Sequence, residues 1–267
     1  MDTDIEVPTR VAAFFDIDNT IMRGASIYHL ARGLFSRKFL NTSDLANYAI
    51  AQGKFLVAGS ENTADMARIT ENALAFVAGR EVSEVTALAD EIYDDIMEAK
   101  IWPGTVALAQ GHRSAGHQVW LVSAAPIELA NLIAVKLGLT GAVATESEIV
   151  DGKYTGKLVS KPMHGPEKAE AIARLAQEYG LDLASSFAYS DSSNDIPLLS
   201  KVGHPTVVNP DSELRAYAKL QNWPIHDFRR QRLVKRYGIP AGATALALIG
   251  AGAGLAVSSN RKTKSSK

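Results

Sequence analysis

The chain has 267 residues, 46% of them hydrophobic and 21% charged, enough to bury one sizeable core or a core with an insert. A net charge of −1 provides no global basic field for nucleic acid, and the absence of cysteine excludes disulfides, thiol catalysis and cysteine-ligated metal centres. The acidic opening stretch lacks the apolar core of a secretory signal, which together with the missing cysteines fits a reducing compartment.

An apolar run at 11–15 reads as a buried strand, and it ends in Asp16-Ile17-Asp18-Asn19-Thr20. Alternate residues of an extended chain point the same way, so Asp16 and Asp18 can face one small volume at the strand's carboxyl end. Open α/β sheets bind ligands there. Two carboxylates that close need a cation or a shared proton; the competing reading is an Asp/Asn turn after a strand. From Ile21 to Ile101 apolar residues recur at helical spacing, as in Ile27, Leu30, Ala31 and Leu34 and again in Val85, Leu88, Ala89, Ile92 and Ile96. Helix starts are expected at 41–44 and 60–63. This stretch, 24–101, is predicted as a helical insert placed to cover the carboxylate pair.

Trp102-Pro103-Gly104 marks the return to alternating patterns. A helix is expected at 106–115, a buried strand at 118–122 ending in Ser123, a helix at 127–137 stopped by Gly138, and a short strand at 142–144. Residues 149–159 form a hairpin pattern turning at Asp151-Gly152. A helix follows at 165–179 with Pro166 in its first turn, then a strand at 186–189 ending in Ser190-Asp191-Ser192-Ser193-Asn194-Asp195. Helix 196–201, strand 205–208 and helix 212–220 complete the pattern. Strands alternating with helices predict a parallel sheet covered on both faces, which brings Asp16, Asp18, Ser123 and the 191–195 cluster to one edge. Lys168 lies in the first turn of its helix, against the helix dipole's preference, which suggests an anion or carboxylate partner, although an exposed surface Lys is the commoner reading. His112, His117, His164, His204 and His226 show no metal-ligand spacing and read as surface or packing residues. His29 can face the site from the first helix of the insert, although a packed or exposed role is the better reading, and Trp102 reads as core or hinge packing.

Together these residues resemble the haloacid dehalogenase superfamily, and within it the phosphoserine-phosphatase-like subclass with a helical cap after its first motif. The matching motifs are Asp16-Ile17-Asp18-Asn19-Thr20, Val122-Ser123, Lys168 and Asp191-Ser192-Ser193-Asn194-Asp195, supported by Trp102-Pro103-Gly104 and by Asp151-Gly152 with Thr155-Gly156. The resemblance spans about residues 10–210. It implies a Rossmann-like α/β core at 8–23 and 102–226, a cap at 24–101, and a Mg²⁺-dependent phosphatase working through an aspartyl phosphate. It further implies Asp16 as nucleophile, Asp18 as acid and base, and Ser123, Lys168 and Asn194 as phosphate-binding residues. The metal ligands would be Asp16, the Asp18 backbone carbonyl and Asp191, with Asp195 behind them. Two departures bear on substrate. The cap Glu that binds the serine ammonium in phosphoserine phosphatases is replaced by Ala25, and by rough register the cap Arg for the serine carboxylate falls near Ala73, with Arg68 and Arg80 nearby. A buried ammonium beside Ala25 would lack its counter-charge, so a phosphomonoester other than phosphoserine is expected. The fourth motif also carries Ser192 where Gly is usual.

The tail, 227–267, is basic and rich in Ala and Gly. Its uncharged stretch 239–257 is long enough, at ~1.5 Å per residue, to cross a ~30 Å hydrocarbon core, and is a candidate transmembrane anchor. Arg229, Arg230, Arg232, Lys235 and Arg236 before it and Arg261, Lys262, Lys264 and Lys267 after it can contact anionic lipid. The leading expectation is a cytoplasmic phosphatase domain acting on a small-molecule or lipid phosphomonoester and not on nucleic acid, with the tail either a membrane anchor or a flexible or packed Ala/Gly helix with a solvated basic end. A phospholipid head-group phosphatase, for phosphatidylglycerophosphate or lysophosphatidate, is the first alternative. A non-catalytic membrane-associated binding protein on the same fold is the second.

Overall fold

The computed structural model describes residues 10–39 and 77–229. Every residue of the first strand, β1 (Ala12–Phe15), is fully buried, as an unbroken apolar strand inside a parallel sheet must be. The chain continues through α1 (Ser26–Ser36), α2 (Val82–Ile92), a π-helical turn (Tyr93–Met97) and a 3₁₀ turn (Glu98–Lys100) to α3 (Pro103–Ser114). Next come β2 (Gln118–Pro126), α4 (Ile127–Lys136), β3 (Gly141–Thr145), the hairpin β4 (Ser147–Val150) and β5 (Lys153–Leu158), and α5 (Pro166–Tyr179). The last elements are β6 (Phe187–Ser190), a 3₁₀ turn (Ser193–Asp195), α6 (Ile196–Leu199), β7 (His204–Val208), α7 (Ser212–Leu220) and β8 (Ile225–His226).

The strands form one parallel sheet in the order β3-β2-β1-β6-β7-β8, with β4 and β5 as a separate antiparallel pair. β1 pairs with β2 on one side and β6 on the other, so the chain leaves the central strand in both directions. That reversal opens a crevice at the carboxyl ends of β1 and its neighbours. On one face Phe14, Val122, Ala188 and Val207 pack with Ile172 and Leu175 of α5 and Leu198 of α6 in one hydrophobic cluster.

The two chain segments that leave and re-enter this sheet run side by side. Met22 bridges Ile101, Arg23 N–H donates to the Lys100 carbonyl (2.9 Å) and Trp102 N–H to that of Ile21 (2.8 Å). The helices they carry, α1 and α2, cross closely at Gly33, where a Cβ would lie 2.5 Å from Ile92. Leu30, Ala31 and Leu34 of α1 and Val85, Ala89 and Ile92 of α2 are buried, as the helical spacing predicts. The helix starts expected at 41–44 and 60–63, and the residues Arg68 and Ala73, lie outside the described residues.

Most boundaries fall within a residue or two of expectation, and three differences have clear causes. α3 starts at Pro103, before the predicted 106, because Pro is pre-set for a helix's first turn. β2 runs on to Pro126 through a break in register between Ser123 and Pro126, so its loaded end is an irregular strand, not a loop. β8 has only two residues, too few to leave a periodic signal. The hairpin turn matches its sequence signature: Asp151 and Gly152 both have positive φ, 49° and 77°.

By backbone contacts the chain divides into two units, 1–226 and 227–267. Of the second, only 227–229 are described, where the Arg229 guanidinium pairs with the Asp227 carboxylate. The candidate anchor 239–257 and the basic residues around it, Arg229 apart, lie outside the described residues. Among the described residues no helix is long and apolar enough to cross a membrane.

Candidate active site

Lys168 is the hinge of the site's geometry. Its ammonium lies 2.6 Å from Asp16 Oδ1 and 2.8 Å from Asp195 Oδ2, and all three side chains are nearly sealed from solvent (Lys168 3%, Asp16 5%, Asp195 2% exposed). Gly165, with φ of 56°, sets the start of α5 so that Lys168, one turn in, faces the sheet edge. Lys168 is thus not a surface residue, and the anionic partner that its position suggests is a pair of carboxylates, one following β1 and one in the loop after β6.

The first motif is held at both its carboxylates. Asp16 follows β1 directly and its N–H donates to the Tyr189 carbonyl of β6 (3.0 Å). Asp18 accepts from the Ser26 N–H (2.8 Å), so it caps α1 from outside. Ala25, the residue preceding that helix, has no side chain able to cap it. Asn19 takes φ of 59° and its side-chain oxygen accepts from Gly24 N–H (2.9 Å), which fastens the outgoing segment to the same loop.

The fourth motif folds into a cluster of short bonds. Ser190 Oγ donates to Asp195 Oδ2 (2.7 Å) and accepts from Ser192 N–H (3.2 Å). Ser192 has φ of −108° and ψ of 137°, an extended conformation open to any residue, so Gly is not required there. Its hydroxyl accepts from Asn194 N–H (3.3 Å), which starts the 3₁₀ turn. Asp211, unremarked in the sequence, accepts from Ser193 N–H (2.7 Å) and from Leu214 N–H (2.7 Å), tying this loop to the start of α7. Ser190 and Asp211 gave no separate signal, since an isolated Ser or Asp near a turn is ordinary turn chemistry.

Asp191 lies with this group: Thr20 Oγ1 points at its Oδ1 (3.4 Å), and its backbone carbonyl accepts from Asp211 N–H (2.8 Å). Ser123 is fully buried near the end of β2, two residues beyond the Leu121 that pairs with Phe15. Its hydroxyl accepts from Ala125 N–H (3.1 Å). The fold therefore brings Asp16, Lys168 and Asp195 into direct contact and puts Asp18, Asp191, Ser123 and Asn194 on the same sheet edge. It forms no bond from Ser123 or Asn194 side chains to the carboxylates.

The electrostatics are those of too much negative charge for one ammonium. Burial pushes the Asp16 carboxyl up to about 7, against the pull of Lys168 and with the push of Asp195 and Asp18. Burial likewise pushes Asp191 up to about 8, aided by Asp16 and Asp195. Asp18 is raised by burial, although its bonds from Ser26 oppose this. Burial disfavours the Lys168 charge, but Asp16 and Asp195 outweigh it and hold the ammonium protonated. Hard oxygen donors short of positive charge suit a hard dication and a phosphoryl group. Among the described residues no three acidic or histidine side chains converge as a ready cluster. A set of two carboxylates and one backbone carbonyl, as Asp16, Asp191 and Asp18 would provide, needs no such cluster.

Residues 13–200 match the model of the haloacid dehalogenase-like hydrolase family. A phosphoserine phosphatase of Mycobacterium tuberculosis, SerB1, is 49% identical over 251 residues, covering 94% of this chain and 80% of its own. A histidinol-phosphatase of Neisseria meningitidis serogroup C is 28% identical over 221 residues, 81% of this chain and 98% of its own. Among solved structures, a Bordetella pertussis protein of unknown function superposes with a TM-score of 0.75 at 28% identity, over 82% of this chain and 99% of that one. A phosphoserine phosphatase solved as a phospho-aspartyl intermediate analogue shares the fold, with a TM-score of 0.58 at 18% identity over 86% of this chain and 99% of its own. The chain belongs to the haloacid dehalogenase-like hydrolase family, and within it is a phosphatase.

Proposed function

We propose that the protein hydrolyses a small phosphomonoester other than phosphoserine through an aspartyl-phosphate intermediate, with Mg²⁺ as its metal. The observation that carries this reading is the buried Lys168 ammonium bridging Asp16 and Asp195 at the end of the central strand. In the first half-reaction an Asp16 oxygen bonds to phosphorus as the bond to the leaving oxygen breaks, and Asp18 gives that oxygen its proton. In the second, Asp18 takes a proton from water, the water oxygen bonds to phosphorus, and the acyl-phosphate bond to Asp16 breaks. Lys168, Ser123 and Asn194 hold the phosphoryl oxygens, where positioning and charge neutralisation supply most of the acceleration. Asp16, Asp191 and the Asp18 carbonyl would hold the metal, with Asp195 orienting Lys168. Bound Mg²⁺ supplies the positive charge that these carboxylates and a phosphate dianion lack.

In the same reading, 8–23 and 102–226 form the catalytic core and 24–101 the cap. Ala25 argues against phosphoserine, because it leaves the start of the cap without a counter-charge for an ammonium. Phosphoserine itself is the second reading, favoured by the name of the relative at 49% identity. The deciding experiment measures magnesium-dependent release of phosphate from a panel of amino-acid, sugar, nucleotide and lipid phosphates, together with acid-quenched intact mass. A phosphoryl adduct absent from Asp16→Asn is expected. Specific turnover of phosphoserine would overturn the argument from Ala25.

A further inference from the structure

His29 is buried (7% exposed) on α1, yet the mechanism above gives it no role. It lies on the helix face that begins at Ser26, whose N–H holds Asp18. Helical side chains lean toward the amino end, and His29 does so: its Nε2 is 2.7 Å from the Arg23 carbonyl, beside Gly24. A carbonyl only accepts, so Nε2 carries the proton and donates. In the neutral ring that leaves Nδ1 as an acceptor, and Nδ1 is buried with no hydrogen-bond partner among the described residues. An orphaned buried acceptor is costly unless something else fills it. The ring also stands close enough to Asp18, the group that handles the leaving oxygen, to feel its charge.

We propose that His29 Nδ1 is a specificity determinant that accepts a hydrogen bond from a hydroxyl on the substrate's leaving group. The inference rests on the phosphatase reading above and narrows its substrate class to phosphomonoesters of polyhydroxylated alcohols. A neutral hydroxyl fits better than an ammonium. Burial together with the charges of Lys100 and Arg32 disfavours an imidazolium at this spot, the nearby Asp18 notwithstanding, and the same surroundings disfavour an ammonium.

The test uses three nearly isosteric substrates, n-propyl phosphate, 2-hydroxyethyl phosphate and 2-aminoethyl phosphate, with the full-length protein and magnesium. The wild type is expected to prefer the hydroxyethyl ester to the propyl ester about tenfold in kcat/KM, the size of one well-made hydrogen bond. His29→Gln, whose amide reaches the Nε2 position and keeps the bond to Arg23, should bring that ratio within about twofold of one. His29→Asn, whose oxygen falls near Nδ1, should keep more of the preference than the glutamine variant. No preference in the wild type, or one for the aminoethyl ester, would overturn the proposal without reference to any variant. So would an equal slowing of all three esters in both variants, which marks a packing role. If the wild type hydrolyses none of the three or an aryl phosphate, the phosphatase reading fails and this inference with it.

Discussion

The two ends of the same sheet make an instructive contrast. At the carboxyl ends of β1 and β6 the chain turns into Asp16, Asp18, Asp191 and Asp195 around a single Lys168. At the amino ends of β2, β6 and β7 the polar groups are instead histidines packed on aromatic rings. His112 and His117 meet through their Nδ1 atoms at 2.9 Å, and His112 Nε2 meets the Tyr189 hydroxyl at 2.7 Å. Phe187 is stacked between His117 and His204, at 5.7 Å and 4.6 Å, and through Tyr189 the cluster reaches toward the site end, where Tyr189 stacks on Phe15 at 4.2 Å. Burial, with the charge of His117, pushes His112 down to about 4. That end settles its polar groups by pairing them with one another, with His112 held uncharged by burial. The site end keeps unbalanced charge, which is stable only with a ligand to share it. Polarity in a buried sheet is therefore no mark of function; unmatched charge is.

Four changes would break or sharpen this contrast. The largest effect should come from Asp16→Asn, which removes the nucleophile and should lower turnover of an aryl phosphate by about 10³-fold or more. Near-wild-type turnover would sink the assignment. Lys168→Met should cost about 3–5 kcal/mol of stability in chemical denaturation, because Asp16 and Asp195 are left buried without their counter-charge, and activity should fall with it. An unchanged denaturation midpoint would mean that the pair is not buried as described.

The third concerns protons and metal. Asp16 and Asp191 titrate as a strongly interacting group, with values pushed up to about 7 and about 8. Metal binding must release those protons, so magnesium affinity should rise about tenfold or more between pH 6 and pH 9, read by calorimetry in two buffers of different ionisation enthalpy. The same shifts make the metal-free protein less stable as pH rises from the ordinary carboxylate range through these values, since the folded state holds the protons more tightly; magnesium should reverse the loss. The smallest effect belongs to the other end. A histidine depressed in the folded state contributes stability that is present above pH 6.5 and lost as pH falls toward 4. His112→Gln should flatten that acid limb while leaving aryl phosphate turnover within about twofold, because His112 packs on Phe15 and Tyr189 rather than on the site carboxylates. A large loss of turnover would show that the two ends are coupled through Tyr189.

The sequence by itself determined the order of elements and the chemistry at their ends. Period-two and period-3.6 patterns depend on local burial, so β1, the hairpin at Asp151-Gly152 and the helix over 212–220 were legible residue by residue. Parallel pairing then had to bring Asp16, Asp18, Ser123 and the 191–195 cluster to one edge, and the misplaced charge of Lys168 suggested an anion or carboxylate partner against the commoner reading of a surface Lys. Tertiary structure alone decided the rest. Which carboxylates Lys168 bridges, the capping of α1 by Asp18, and the supporting bonds of Ser190 and Asp211 all join residues from different elements, and no local pattern encodes them. His29 is the sharpest case. In sequence it is one histidine on an apolar helix face, able to face the site but better read as packed or exposed. Only the fold, by fixing its Nε2 on the Arg23 carbonyl and burying its Nδ1 without a partner, gives it an unsatisfied bond and hence a reason to touch the substrate.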